Sequence, residues 1–251
     1  MTPSTFDART VTPIRPATAP QPGFHPERLL VIDPLTGRFG DYRISELPRL
    51  FGPADAWVVN DAATVPASLR VDAELELRLV SAERDGTFFA VAFGAGDFRQ
   101  PTEERGAPRS LTPSEVLSFG PLLRASVVDV DAADARLVRL RFDRSGAALW
   151  SALYRYGKPI QYAYASAPLQ LWDVQNRYAT RPWAFELPSA GRPLTFELLF
   201  ELEERGAAVT SVTHAASISS TGSAQLDQRL PLPERYEISN EAAAVIAETR
   251  A

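Results

Sequence analysis

The chain has 251 residues, 45% hydrophobic and 23% charged, with two histidines, no cysteine and a formal net charge of −5. That is ordinary globular composition, long enough for one large domain or two small ones. It excludes disulfides, a thiolate metal site, a cysteine nucleophile and a three-histidine zinc site, and no metal site is expected.

Residues 1–26 carry six prolines and no apolar core, so they read as an extended Pro-rich arm containing His25, not as a signal peptide. No apolar run approaches the length needed to span a bilayer, so no membrane contact is expected and the protein is placed in the cytoplasm. Acidic residues number 31 against 26 basic ones. Nucleic acid would therefore have to be gripped by a local arginine cluster. The single lysine, Lys158, is the one Schiff-base candidate, and nothing around it argues for that role.

The first strand is predicted at 28–33, with Pro34 and Gly37 marking its turn. A short helix follows at 44–51, with Ser45 as its cap. Trp57-Val-Val-Asn60 reads as a second, buried strand running into a polar loop that ends at Pro66. From Val71 to Leu79 apolar and charged residues alternate, which predicts a strand with one wet face. Asp85-Gly86 signals a hairpin, 87–93 is the returning strand, and a Gly-, Pro- and Arg-rich loop covers 94–113. Residues 125–131 and 135–142 form a second alternating pair. No helix-period segment interrupts 69–143, so this stretch reads as a small antiparallel β domain.

Helical patterning returns at 145–156, closed by Gly157, and 159–165 looks extended. The clearest helix is 196–205, with Thr195 as N-cap, Gly206 as its stop and Leu198, Leu199 and Leu202 on its inward face. A strand over 207–214, a strand over 234–238 and a last helix from Ser239 complete the pattern. The fold class predicted is α/β plus β. A mixed α/β domain from 1–68 and 144–251 carries an inserted antiparallel β domain over 69–143. The last helix presents Ala243, Val245 and Ile246 with no following strand to cover them, so an open edge, self-association or a covering partner chain is expected.

Three places hold residues suited to chemistry. Asn60-Asp61 ends a strand, where α/β folds place ligand groups; Asp61 can accept a proton or hold a ribose hydroxyl, or it can form an Asx turn. Pro188-Ser189-Ala-Gly191-Arg192 leads to the helix capped by Thr195. Small residues there admit a ligand to the backbone, the helix N-terminus suits a carboxylate, and Arg192 can add a bidentate contact; a plain tight turn explains the same residues. His214 ends a strand before a Ser/Ala-rich loop, where it can serve as general acid or base, or as a structural histidine. Gln175, Tyr178 and Arg181 are polar candidates of the same kind. No G-x-G-x-x-G follows a strand, which argues against a Rossmann dinucleotide site.

These motifs resemble a known family. Thr36-Gly37 after the first strand, Asn60-Asp-Ala with Pro66-Ala67, Gly157-Lys-Pro-Ile-Gln-Tyr, the Gln175, Tyr178 and Pro182 segment, Pro188-Ser-Ala-Gly191 and His214 are similar to the S-adenosylmethionine:tRNA ribosyltransferase-isomerases of queuosine biosynthesis. The resemblance implies a mixed α/β domain with an inserted β-barrel. It implies transfer and isomerisation of the ribosyl part of S-adenosylmethionine to the aminomethyl group of a 7-deazaguanine base in tRNA. Epoxyqueuosine remains, adenine and methionine leave, and no cofactor is required beyond S-adenosylmethionine as co-substrate. On this reading Asp61 or His214 handles protons, Asn60 and Gln175 hold base or ribose edges, Tyr178 contacts substrate, and the Ser189–Thr195 turn with Gly191 and Arg192 receives an anionic group such as the methionine carboxylate. The chain departs from the family pattern at Asp61-Ala62, Arg192-Pro-Leu194, Ala216 and Ile218. These departures keep two other readings in play: a non-catalytic binding paralogue, and a transferase acting on a free nucleoside.

Overall fold

The computed structural model describes residues 27–250; the expected Pro-rich arm over 1–26, with His25, lies outside the described residues, as does Ala251. Strands β1 (Arg28–Asp33) and β2 (Arg38–Arg43) form an antiparallel hairpin. Its turn is closed by Asp33, whose carboxylate accepts the Leu35 and Thr36 amides, and by Gly37 at a φ of +66°. The helix expected at 44–51 is a 3₁₀ helix over Ile44–Leu50. Its cap is not Ser45: the Glu46 carboxylate accepts the Arg43 amide instead, and Pro48 removes a donor from the turn. Strand β3 (Ala56–Asn60) is half open, not buried, because Val58 is 43% exposed while Val59 faces the core. Strand β4 (Ala62–Thr64) follows directly.

The middle of the chain is a six-stranded antiparallel sheet. It contains β5 (Ser68–Arg70), β6 (Glu76–Ala82), β7 (Phe88–Phe93), β8 (Val116–Gly120), β9 (Leu123–Val130) and β10 (Leu137–Phe142), in the order β5-β6-β7-β10-β9-β8. Leu69 from one edge and Leu117 from the other share a single core with Leu77, Leu79, Ala90, Val127 and Leu140, so the sheet curls into a barrel-like form. Two sequence expectations change here. The alternating run is split, because a turn at 72–74 separates β5 from β6. Its charged face is also dry: Glu76 and Arg78 are 4% and 2% exposed. The cause is a second layer, in which Ile218, Leu226 and Leu232 cover Val80, Val91 and Phe93 while Arg105 closes over Glu76. Strand β8 carried no alternation strong enough to be anticipated.

Helix α1 (Gly146–Tyr156) inserts Leu149, Ala152 and Leu153 into the barrel core, each large side chain contributing roughly 1.5–3 kcal/mol of apolar burial. The stretch 159–165 forms no strand; only a single bridge pairs Lys158 with Ser68. Strand β11 (Arg181–Ala184) runs parallel to β4. Helix α2 (Phe196–Glu204) then leads to β12 (Ala208–His214), which pairs parallel with β3 from Ala208 opposite Ala56 to Val212 opposite Asn60. A one-turn helix, α3 (Ala224–Asp227), precedes β13 (Tyr236–Glu237), shorter than the expected 234–238 strand and antiparallel to β12. Helix α4 (Asn240–Arg250) packs on β3 and β12 with Ala242 buried. The whole is mixed α/β, mostly sheet, with few helices.

Candidate functional site

A cavity of about 520 Å³ opens where the 160–164 segment, the turn before α2 and the loop after β12 converge. Three residues distant in sequence form its polar wall. The Tyr162 hydroxyl donates to Glu186 Oε1, the Ser219 amide donates to the same oxygen at 3.3 Å, and the Ser219 hydroxyl donates to Tyr162 Oη at 3.2 Å. Burial pushes the Glu186 carboxyl up from the ordinary glutamate range, and these donors offset only part of the rise. Burial, then the adjoining Glu186 charge, raises Tyr162 as well. Tyr164, 58% exposed, stacks on Tyr162 with centroids 6.3 Å apart and rings inclined by 26°. Arg192 also lines the cavity, held by an Nη1 bond of 2.6 Å to the Asp173 carbonyl. Buried Gln161, also in the lining, organises the loop beside it: its amide donates to the Ala165 and Ala167 carbonyls and accepts from Leu169, folding 161–169 into a compact loop. A carboxyl that keeps its proton to higher pH, an exposed aromatic face and a guanidinium thus surround one open volume.

The residues expected from sequence fall into different places. Ser189 and Arg192 line the cavity. Gly191 lies behind them, where a Cβ would strike the Tyr178 hydroxyl and come within 2.7 Å of Asn176 Nδ2. The glycine therefore serves packing of Tyr178, itself 7% exposed, against the turn. Thr195 caps α2, its hydroxyl accepting the Leu198 amide at 3.3 Å. The Gln175 side chain pairs with both the N–H and C=O of Thr64, so it acts as a strand partner. Asn60 is engaged in the same way: its Oδ1 accepts the Ala62 and His214 amides and its Nδ2 donates to the His214 carbonyl.

Asp61 and His214 sit at the ends of neighbouring parallel strands but on opposite sides of β12. Asp61 Oδ1 accepts from Thr213 at 2.6 Å and Oδ2 from Thr180 at 3.1 Å, whereas the next residue, His214, turns its Nε2 to Glu234 at 2.7 Å. Glu234 also accepts the Ser217 amide, which orients it. None of Asn60, Asp61, Gln175, Tyr178, Thr195 and His214 lines the 520 Å³ cavity. Tyr164, Glu186 and Ser219 were not singled out from sequence, and Tyr162 was quoted only as the end of the Gly157-Lys-Pro-Ile-Gln-Tyr motif, with no role of its own. Glu186 stands two residues before the quoted Pro188 turn, but nothing local announces that positions 162, 186 and 219 meet.

A family model described as queuosine biosynthesis protein matches residues 11–251. The S-adenosylmethionine:tRNA ribosyltransferase-isomerase of Rhodospirillum rubrum is 33% identical over 193 residues, covering 74% of this chain and 51% of that protein. Its namesake from Anaeromyxobacter dehalogenans is 31% identical over 245 residues, covering 94% of this chain and 67% of the relative. A crystal structure of S-adenosylmethionine tRNA ribosyltransferase from Thermotoga maritima matches with a TM-score of 0.35 and 18% identity, over 93% of this chain and 62% of that one. The chain spans about half the length of several curated relatives it matches.

Proposed function

The chain belongs to the queuosine biosynthesis protein family, and from that premise we propose that it binds S-adenosylmethionine and transfers and isomerises its ribosyl part onto the aminomethyl group of a 7-deazaguanine base in tRNA. One observation carries the reading to particular residues: Ser189 and Arg192 of the Pro188–Arg192 turn, quoted above for its likeness to the family, line the 520 Å³ cavity together with Tyr162 and Glu186. On this proposal Arg192 meets the methionine carboxylate, as a guanidinium suits a planar anion. Tyr164 offers an exposed ring on which a purine stacks. Glu186 handles the proton that the departing adenine needs, since its carboxyl lines the cavity, is held by Tyr162 and Ser219, and is pushed up from the ordinary glutamate range by burial. Asp61 and His214, the proton handlers expected from sequence, take supporting roles in shaping the β3–β12 end. The reading also takes 69–143 as a β insertion within the α/β domain, and it requires no metal.

A second reading is favoured by a separate observation. The side chains of Asn60 and Gln175 are fully engaged with backbone, and Arg192 gives Nη1 to Asp173. A paralogue that binds S-adenosylmethionine without turning it over would keep this arrangement. Adenine release separates the two. Purified protein is incubated with S-adenosylmethionine and tRNA bearing the aminomethyl base, and free adenine is quantified by chromatography. Release that falls about a hundredfold or more in Glu186→Gln, with Asp61→Asn and His214→Gln much less affected, is the expected result. Binding without release supports the paralogue, and neither binding nor release refutes both.

A further inference from the structure

A second cavity, of about 390 Å³, lies beside the first; Gln161 and Leu169 line both. Its charge is lopsided. Glu76 is shared by Arg70, Arg78 and Arg105 at 3.3, 2.9 and 2.5 Å, and Asp97 pairs with Arg99 at 2.7 Å. Two carboxylates, Glu76 and Asp97, and three cations, Arg70, Arg78 and Lys158, line the cavity, while Arg105 neutralises Glu76 from outside the lining; Lys158, the chain's one lysine, has no ion-pair partner among the described residues. Arg78, 2% exposed, lies with its guanidinium 4.4 Å from the Phe93 centroid and 5.6 Å from that of Tyr162. Its Nη1 is shielded from solvent and finds no hydrogen-bond partner.

A buried donor without an acceptor is costly, more so when it is charged. A surplus of positive charge in a low-dielectric recess concentrates anions. In a chain of net charge −5 such a surplus is a local construction, not a by-product of composition. Position adds the direction. The recess adjoins the cavity assigned above to S-adenosylmethionine and the acceptor base, and a base in a nucleotide carries a phosphate one sugar away.

We infer that the Arg70–Arg78–Lys158 recess is a phosphate subsite, which takes a phosphate group of the acceptor nucleotide while its base enters the Tyr162–Glu186 cavity. This rests on the functional reading above for the identity of the neighbouring cavity. The shared chemistry is a phosphate oxyanion, supplied either by the phosphodiester of an RNA or by a free nucleoside 5′-monophosphate.

The test uses the full chain and inorganic phosphate as first probe, titrated calorimetrically against potassium chloride of equal ionic strength. Lys158→Gln and Arg70→Gln are the variants, since both side chains reach solvent and neither belongs to a core. Phosphate binding that weakens roughly fivefold or more in each variant supports the subsite. No binding by the wild type, or equal binding by all three proteins, overturns it. An anticodon stem-loop RNA and a nucleoside 5′-monophosphate then compete with phosphate. Competition by the RNA alone, with a salt slope shallower by about one in each variant, assigns a phosphodiester; competition by the monophosphate assigns a free nucleotide; competition by neither overturns the assignment to a nucleotide. Titration with S-adenosylmethionine runs in parallel. Its loss with phosphate binding intact refutes the enzyme reading alone, and the converse refutes the subsite alone.

Discussion

At Glu76, burial on its own raises the carboxyl, but the charges of Arg78 and Arg105 outweigh it and hold the group at about 2. A carboxyl depressed in the folded state stabilises the fold above its unfolded pKa and loses that contribution as pH falls. The window here runs from about 4.5 down to about 2, with on the order of 3 kcal/mol at stake. Urea unfolding of Glu76→Gln at pH 7 should show a loss of roughly 3–5 kcal/mol, because three arginines lose their counter-charge. The gap to wild type should narrow steadily below pH 4.5; a constant gap would refute the ion cluster. Glu186 has the opposite sign. Its raised folded pKa means wild-type stability falls as pH climbs above the unfolded value, so Glu186→Gln should gain relative to wild type as pH rises above about 4.5. At Gly191, alanine should cost roughly 1–3 kcal/mol by thermal melting, since Tyr178 and Asn176 leave no room for a Cβ. A neutral Gly191→Ala would show that the turn can shift. Of these residues only Gly191 and Tyr178 stood out in sequence, and for different reasons: Gly191 for its small neighbours, Tyr178 as a substrate contact. Local sequence says what a turn permits, but not that a tyrosine thirteen positions earlier fills it.

Among elements, helices with complete punctuation were the most legible. Thr195, the inward Leu198, Leu199 and Leu202, and Gly206 at a φ of +87° all perform the roles their spacing assigned. Thr195→Ala should lower stability by about 1 kcal/mol in urea titration, as loss of a single cap does, and Thr195→Ser should restore most of it. A null effect of both would mean that tertiary packing alone fixes the N-terminus of α2. Strand β6 shows where pattern reading stops. Alternation correctly put Leu77 and Leu79 inward, yet it implied water on Glu76 and Arg78. Period two reports which residues share a face, not what covers that face, and here the cover is Arg105 and residues some 140 positions later. The 3₁₀ helix over Ile44–Leu50 reads like an α-helix for a similar reason: the Arg43–Glu46 cap and Pro48 decide its winding, and neither changes the apolar spacing.

For the whole molecule, two features set the arrangement of the site. The barrel-like sheet buries both faces of β6 and so brings Arg78 beneath Tyr162. The parallel β3–β12 and β4–β11 pairs bring the chain after residue 184 back across the 160–164 segment, which is how Glu186 and Ser219 reach Tyr162. Sequence conveyed the α/β alternation and the family likeness, since both are carried by contiguous motifs. It did not convey the Tyr162–Glu186–Ser219 wall, because that depends on three segments meeting in space. The claim resting on that wall is that S-adenosylmethionine occupies the 520 Å³ cavity. Calorimetric titration of S-adenosylmethionine into wild type, Arg192→Gln and Tyr164→Ala tests it most directly. One-site binding by the wild type, weakened roughly tenfold or more in each variant, is the predicted result; wild-type binding unchanged in both variants, or no binding at all, would contradict it.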